Sequence, residues 1–272
     1  MVLLAADGVA IEAVYEPADF DADVTQDAAG RVPVTVVAHG FTGSAGRPHV
    51  RRAAAVFRRY GAVITFSFRG HGASGGCSTV GDREVLDLAA AVAWARRLGH
   101  RTVWTVGFSM GGSVVLRHAA LYRAGVPGGR GSAHADLHGP AHTDAVVAVS
   151  APARWYYRGT AAMRRLHWVV TRPLGRAVGR YGLRTRIHTS DWDPVPLDPA
   201  EAAARIAPTP LLLVHGDRDP YFPLDHPRAL ATAAGPAADL WLEPGMGHAE
   251  NAADEALLAR IGDWAARRAP GG

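Results

Sequence analysis

Gly107-Phe108-Ser109-Met110-Gly111 sets a serine between an apolar β-branched run and a stretch with helical rhythm. A serine hydroxyl attacks a carbonyl carbon only when a base takes its proton. Gly245-Met246-Gly247-His248 offers an imidazole later in the chain. Between them His215-Gly216-Asp217-Arg218-Asp219-Pro220 offers two carboxylates. A carboxylate behind the imidazole fixes its tautomer and stabilises its charged form. Asp219 is the favoured orienting group; Asp217 is the alternative, with a turn or a pair with Arg218 as its other use. Small residues at 107 and 111 suit a sharp strand-to-helix turn that lifts the serine oxygen out of a sheet edge. The helix that follows aims N–H groups and positive dipole at developing negative charge.

Such residues need strands that end where they begin. Residues 34–38, 62–68, 102–108, 145–150 and 210–215 are short apolar runs suited to strands buried on both faces. Residues 9–16 and 238–242 read as further strands. Helical periodicity predicts helices over 49–60, 83–98, 110–124 and 249–268, with Asp82 as a cap for the second and Gly99 as its stop. This alternation predicts an α/β class: a doubly wound, mostly parallel β-sheet with helices on both faces, carrying its reactive groups at the strands' carboxyl ends. Residues 19–31 and 125–143 read as surface loops. Residues 151–207 read as a helical cap insertion over a single domain spanning 1–272.

Taken in order, HGFTGS at 39–44, GFSMG at 107–111, HGDRD at 215–219 and GMGH at 245–248 resemble the α/β-hydrolase fold serine esterases. The resemblance runs from about residue 33 to 268, apart from the cap and the 125–143 loop. It implies Ser109, Asp219 and His248 as a triad. It also implies the backbone N–H groups of Phe41 and Met110 as oxyanion donors, which tetrahedral intermediates require. His39 is then structural, and so is His71, because Arg69-Gly70-His71-Gly72-Ala73-Ser74 resembles a structural turn of the family. That family often carries an aspartate two positions before the arginine; here Ser67 stands there, leaving a local hydrogen-bond arrangement to be filled otherwise. The implied reaction is carboxylic ester hydrolysis through an acyl-enzyme, without metal or organic cofactor, by a monomer or homodimer. A thioesterase acting on an acyl-carrier thioester uses the same triad, and a non-enzymatic binding protein can share the fold.

Composition narrows the rest. The chain has 272 residues, 48% of them hydrophobic, and a net charge of +4. Every basic residue is arginine. Cys77 is the only cysteine, so an internal disulfide is excluded and a reducing compartment fits. The start, Met-Val-Leu-Leu-Ala-Ala-Asp-Gly, lacks a basic, long apolar leader, and no apolar run reaches membrane-spanning length. A cytoplasmic protein without stable membrane insertion is expected. His134, His138 and His142 share a four-residue spacing, but Gly139 and Pro140 interrupt any helix that would turn them to one metal. Residues 151–190 hold nine arginines and no Asp or Glu, interleaved with Trp155, Tyr156, Tyr157 and Trp168. That segment reads as a basic face over an apolar one, or as a reader of anionic substrate or lipid surface; nucleic acid is not expected as a partner. Trp155, Tyr156 and Tyr157 are the candidate substrate-pocket residues, for a small acyl ester or thioester.

Overall fold

The computed structural model describes residues 1–19, 32–123 and 141–268. Eight strands form one sheet: β1 (Val2–Leu4), β2 (Ala10–Glu16), β3 (Val34–Ala38), β4 (Ala62–Phe66), β5 (Val103–Phe108), β6 (Ala145–Val149), β7 (Leu211–Gly216) and β8 (Ala238–Glu243). Their spatial order is β1-β2-β4-β3-β5-β6-β7-β8. Among the described residues only the β1–β2 and β2–β4 pairings are antiparallel; the others are parallel. From β3 the chain steps outward to β4, then crosses back to β5 and runs the other way. Ligand sites of open α/β sheets lie at such a reversal.

Both faces are covered, which explains the unbroken apolar runs. Successive side chains of a strand point to opposite faces, so Val36, Val146 and Leu213 enter one core while Val37, Val147 and Val214 enter the other. The first core contains α2 (Glu84–Arg97) and α3 (Met110–Leu121); the second contains α1 (Pro48–Phe57) and the C-terminal helix. Between β6 and β7 lie α4 (Ala161–Thr171), α5 (Pro173–Tyr181) and α6 (Pro199–Ala203). Then α7 (Asp225–Ala234) joins β7 to β8.

Two helix expectations need correction. Asp82 does not cap α2: Arg83 holds the cap position without a side-chain bond, and the Asp82 carboxylate faces Arg117 at 3.4 Å. Near it the buried Glu84 accepts from Ser78 Oγ, Thr79 Oγ1 and the N–H groups of Thr79 and Gly81, so an acid inside the first turn organises the start instead. The C-terminal helix is two: α8 (Ala249–Ala252) and α9 (Glu255–Arg268). Asp254 Oδ1 accepts from Leu257 N at 2.8 Å and starts α9 afresh. The loops expected over 19–31 and 125–143 fall largely outside the described residues, as do His134 and His138.

Candidate active site

Ser109 links β5 to α3 with φ 52° and ψ −113°. A non-glycine residue in that region is strained and persists only where its surroundings enforce it. Here they do. A Cβ on Gly107 would run into the carbonyl oxygen of Gly111, and one on Gly111 into that of Ala38. The Ser109 N–H donates to Val149 O at 2.8 Å, tying the turn to β6.

His248 follows β8 and Asp219 follows β7, so three strand ends converge. His248 Nε2 lies 2.8 Å from Ser109 Oγ, and Nδ1 lies 2.7 Å from Asp219 Oδ2. Burial raises the Asp219 pKa, but the hydrogen bond from His248, with the N–H groups of Tyr221 and Phe222, outweighs it and holds the carboxyl below its ordinary value. An ionised carboxylate can only accept, so Nδ1 carries the proton and Nε2 is left to accept from the serine hydroxyl. His215 lies beneath, with Nε2 2.8 Å from Phe222 O. Burial lowers its pKa and keeps it neutral, so it adds no charge against His248. The Tyr221 ring covers the His248 imidazole at 4.3 Å between centroids. Asp217, the other candidate, lies elsewhere: its Oδ1 accepts from Gly245 N at 2.7 Å and pins the loop that carries His248.

The loop after β3 is held almost atom by atom. Gly40 N donates to Glu250 Oε1 at 2.9 Å, Thr42 N to His71 Nε2 at 3.3 Å, Gly43 N to Gly40 O at 2.9 Å, and Ala45 N to Ser67 Oγ at 3.0 Å. Phe41 N has no acceptor among the described residues. Met110 N heads α3, where a helix has no carbonyl to offer it. Phe41 and Met110 both line the cavity beside Ser109. His39 is buried, with Nε2 accepting from Phe68 N at 3.0 Å and Nδ1 2.7 Å from Gly40 O. Burial, helped by the neighbouring His71, pushes its pKa down to about 3. His71 is likewise buried, with Nδ1 2.9 Å from Arg69 O. Ser67 Oγ donates to Glu12 Oε2 at 2.8 Å, and the same oxygen accepts from Ala73 N at 3.0 Å. Thus Glu12 of β2 supplies the carboxylate that position 67 lacks.

Glu250 was not among the sequence candidates. It is buried at 8% exposure, and both its carboxylate oxygens would lie 3.1 Å from a Cβ on Gly40. Its one sequence signal is an acid two residues beyond the candidate base. Ser150 was missed too; with φ 52°, it accepts from Ala249 N at 3.0 Å and steadies the turn after His248.

Above Ser109 opens a cavity of about 640 Å³, within the size range of small-molecule sites. Trp155, Tyr156 and Tyr157 line it, together with Met163, Leu166 and Trp192. Trp155 is anchored by Nε1 donating to Pro196 O at 3.0 Å and packs edge-on to Trp192 at 5.1 Å. Trp192, which the sequence did not single out, donates from Nε1 to Thr79 O at 2.6 Å and closes one wall. Tyr157 packs edge-on against buried His226 at 4.5 Å. Among the described residues, no group of three or more His, Cys, Asp or Glu is placed to hold a metal, and no helix is long and apolar enough to cross a membrane.

Known proteins share this frame. An esterase from Pyrococcus furiosus superposes with a TM-score of 0.69 at 22% identity, over 98% of this chain and 91% of that one. A Xanthomonas campestris serine hydrolase described as having no lid gives 0.62 at 19%, over 100% and 95%. Est1E from Butyrivibrio proteoclasticus, solved with ferulic acid bound, gives 0.58 at 19%, over 97% and 96%. At these identities the likeness is one of fold. No curated protein matches the chain. A family model does, and residues 35–260 fit it from β3 into α9. With strand order, turn and matched span in agreement, the chain belongs to the alpha/beta hydrolase family.

Proposed function

We propose that the protein hydrolyses carboxylic esters through an acyl-enzyme on Ser109. One observation carries this reading: Ser109, His248 and Asp219 form an unbroken hydrogen-bonded chain, at 2.8 and 2.7 Å, whose serine end opens into a cavity with an aromatic wall. His248 Nε2 takes the hydroxyl proton as Oγ bonds to the acyl carbon, and the carbonyl electron pair moves onto oxygen. That oxyanion falls to the free N–H groups of Phe41 and Met110. Fixed donors of this kind contribute about 3–4 kcal/mol each to the transition state. The imidazolium, held by Asp219, returns the proton to the leaving alkoxide. Water then repeats the sequence at the acyl-enzyme, freeing the acid and restoring Ser109.

The aromatic wall formed by Trp155, Tyr157 and Trp192 suits the acyl chain or ring of a small-molecule ester. The test is hydrolysis of a chain-length series of nitrophenyl esters and acyl thioesters by wild type and Ser109→Ala. Loss of about 10⁴-fold or more in kcat in the variant is expected. The ranking of substrates reports ester against thioester preference and the reach of the cavity. Turnover equal in both proteins would sink the serine mechanism.

A further inference from the structure

Helix α5 is built inside out. Its glycines face inward: a Cβ on Gly175 would strike Trp168 O and Val169 Cα, and one on Gly179 would meet Ile187 Cδ1 at 2.9 Å. Its large apolar residues face outward instead. Leu174, Val178 and Tyr181 recur at i, i+4 and i+7 on one stripe, and are 69%, 43% and 79% exposed. Trp168 on α4 adds a fourth exposed apolar group, at 44%. A helix of a water-soluble domain ordinarily turns such a stripe to its core.

The charge is equally lopsided. Residues 151–190 hold nine of the chain's 29 basic residues and no acid, which leaves 20 basic against 25 acidic residues elsewhere. A segment of +9 thus sits on a remainder of −5. Among the described residues only Arg154 of these nine has a carboxylate within 4.0 Å, namely Asp225 at 2.6 Å. Arg165 and Arg180 are exposed beside the apolar stripe, and Arg180 lies over the Tyr181 ring at 5.7 Å. A second copy of the chain does not fit this face, because a symmetric contact would set arginine against arginine. An anionic lipid surface does. Aromatic and aliphatic side chains enter its interface, and arginines meet its head groups.

We propose that the α4–α5 face docks on an anionic lipid surface. The same hairpin walls the cavity on its inner side, through Leu166, Val170 and Arg172, so docking brings the rim of the cavity to the surface. Delivery of a lipid ester to Ser109 rests on the hydrolase reading above; the docking itself does not.

Vesicle flotation of the Ser109→Ala protein tests docking without consuming lipid. It should float with phosphatidylcholine vesicles containing phosphatidylglycerol at low salt, and not with phosphatidylcholine alone. Adding Arg165→Gln and Arg180→Gln should cut partition about thirtyfold, at roughly fivefold for each charge near the surface. Adding Leu174→Ser and Tyr181→Ser should also abolish flotation. In the Ser109 background, neither pair touches the cavity, and each should leave turnover of a soluble short ester unchanged. No flotation, or flotation indifferent to both pairs, would overturn the proposal. So would a dimer that the Leu174/Tyr181 pair makes monomeric, or binding confined to an acidic carrier protein. Should no ester be turned over at all, flotation still decides the docking.

Discussion

The turns beneath the sheet edge and the α4–α5 hairpin above it are both rich in arginine, yet they treat it in opposite ways. Beneath the site, Arg69 is enclosed by Asp87 at 2.7 Å and Asp7 at 2.6 Å. Arg117 donates to the carbonyls of Gly81 and Asp82 and faces the Asp82 carboxylate. On the hairpin, Arg165 and Arg180 are exposed, and among the described residues no acid lies within 4.0 Å of them. Buried charge is tolerated only when paired, so the lower region is complete within the chain. In the upper region, among the described residues, only Arg154 has such a carboxylate, and the docking proposed above would supply the rest from outside. Substitutions should therefore act differently in the two: strongly on chemistry or stability below, and on association above.

The largest expected effect separates two aspartates on the same turn. Asp219→Asn keeps the shape but offers an N–H₂ where the imidazole needs an acceptor, so His248 is turned to the wrong tautomer. A loss of about 10⁴-fold in kcat on a nitrophenyl ester is expected. Asp217→Asn still accepts from Gly245 N and should change kcat less than about threefold. Equal losses in the two would mean that the Asp219–His248 bond is not what sustains turnover.

Glu250 gives the next effect. It does not touch the reacting atoms; it positions the peptide that carries Phe41 N. Glu250→Ala frees the Gly40 N–H and lets that loop turn. A lost buried hydrogen bond is worth about 1–3 kcal/mol, which in the transition state alone corresponds to about a 5–150-fold fall in kcat with KM little changed. Glu250→Gln keeps an acceptor and should restore most of the rate. Equal loss in both variants, or loss in KM instead, would leave Glu250 a packing residue only.

Legibility followed how local each cause is. The runs VTVVA and VWTVGF could be read as buried strands because both sheet faces are covered. Ser109, Asp219 and His248 each lie within a few residues of a strand end, where short motifs betray them. Glu250 could not be found that way: its reason for being there is Gly40, which lies 210 positions away in the chain. Glu12 meets Ser67 across the β2–β4 pairing, another contact the sequence does not print. The Asp82 expectation failed because a buried Glu84 competes for the same turn. The inverted stripe of α5 is written in the spacing of Leu174, Val178 and Tyr181, but only the packing of Gly175 and Gly179 says which side faces out.

The arginine pair gives the smallest effect, and it sharpens the contrast through stability instead of rate. His39 and His118 are fully buried, and burial pushes the pKa of each down to about 3. In the unfolded chain both titrate near 6.5. Above that pH both states are neutral and the histidines cost nothing. As pH falls below it, the unfolded chain takes up protons that the folded one refuses, so stability is lost progressively toward the folded values. From pH 7 to 5 linkage gives a loss of roughly 2 kcal/mol for each histidine. Asp87, which burial pushes up to about 7, offsets part of that fall, and urea unfolding at the two values should show the net loss in wild type. Arg165→Gln with Arg180→Gln should reproduce it to within about 0.5 kcal/mol, since exposed arginines without a described carboxylate partner contribute little to folding. If instead the arginine pair shifted the unfolding free energy as much as the acid does, the hairpin would be part of the folded core's own electrostatics, and its charge would have a use inside the molecule.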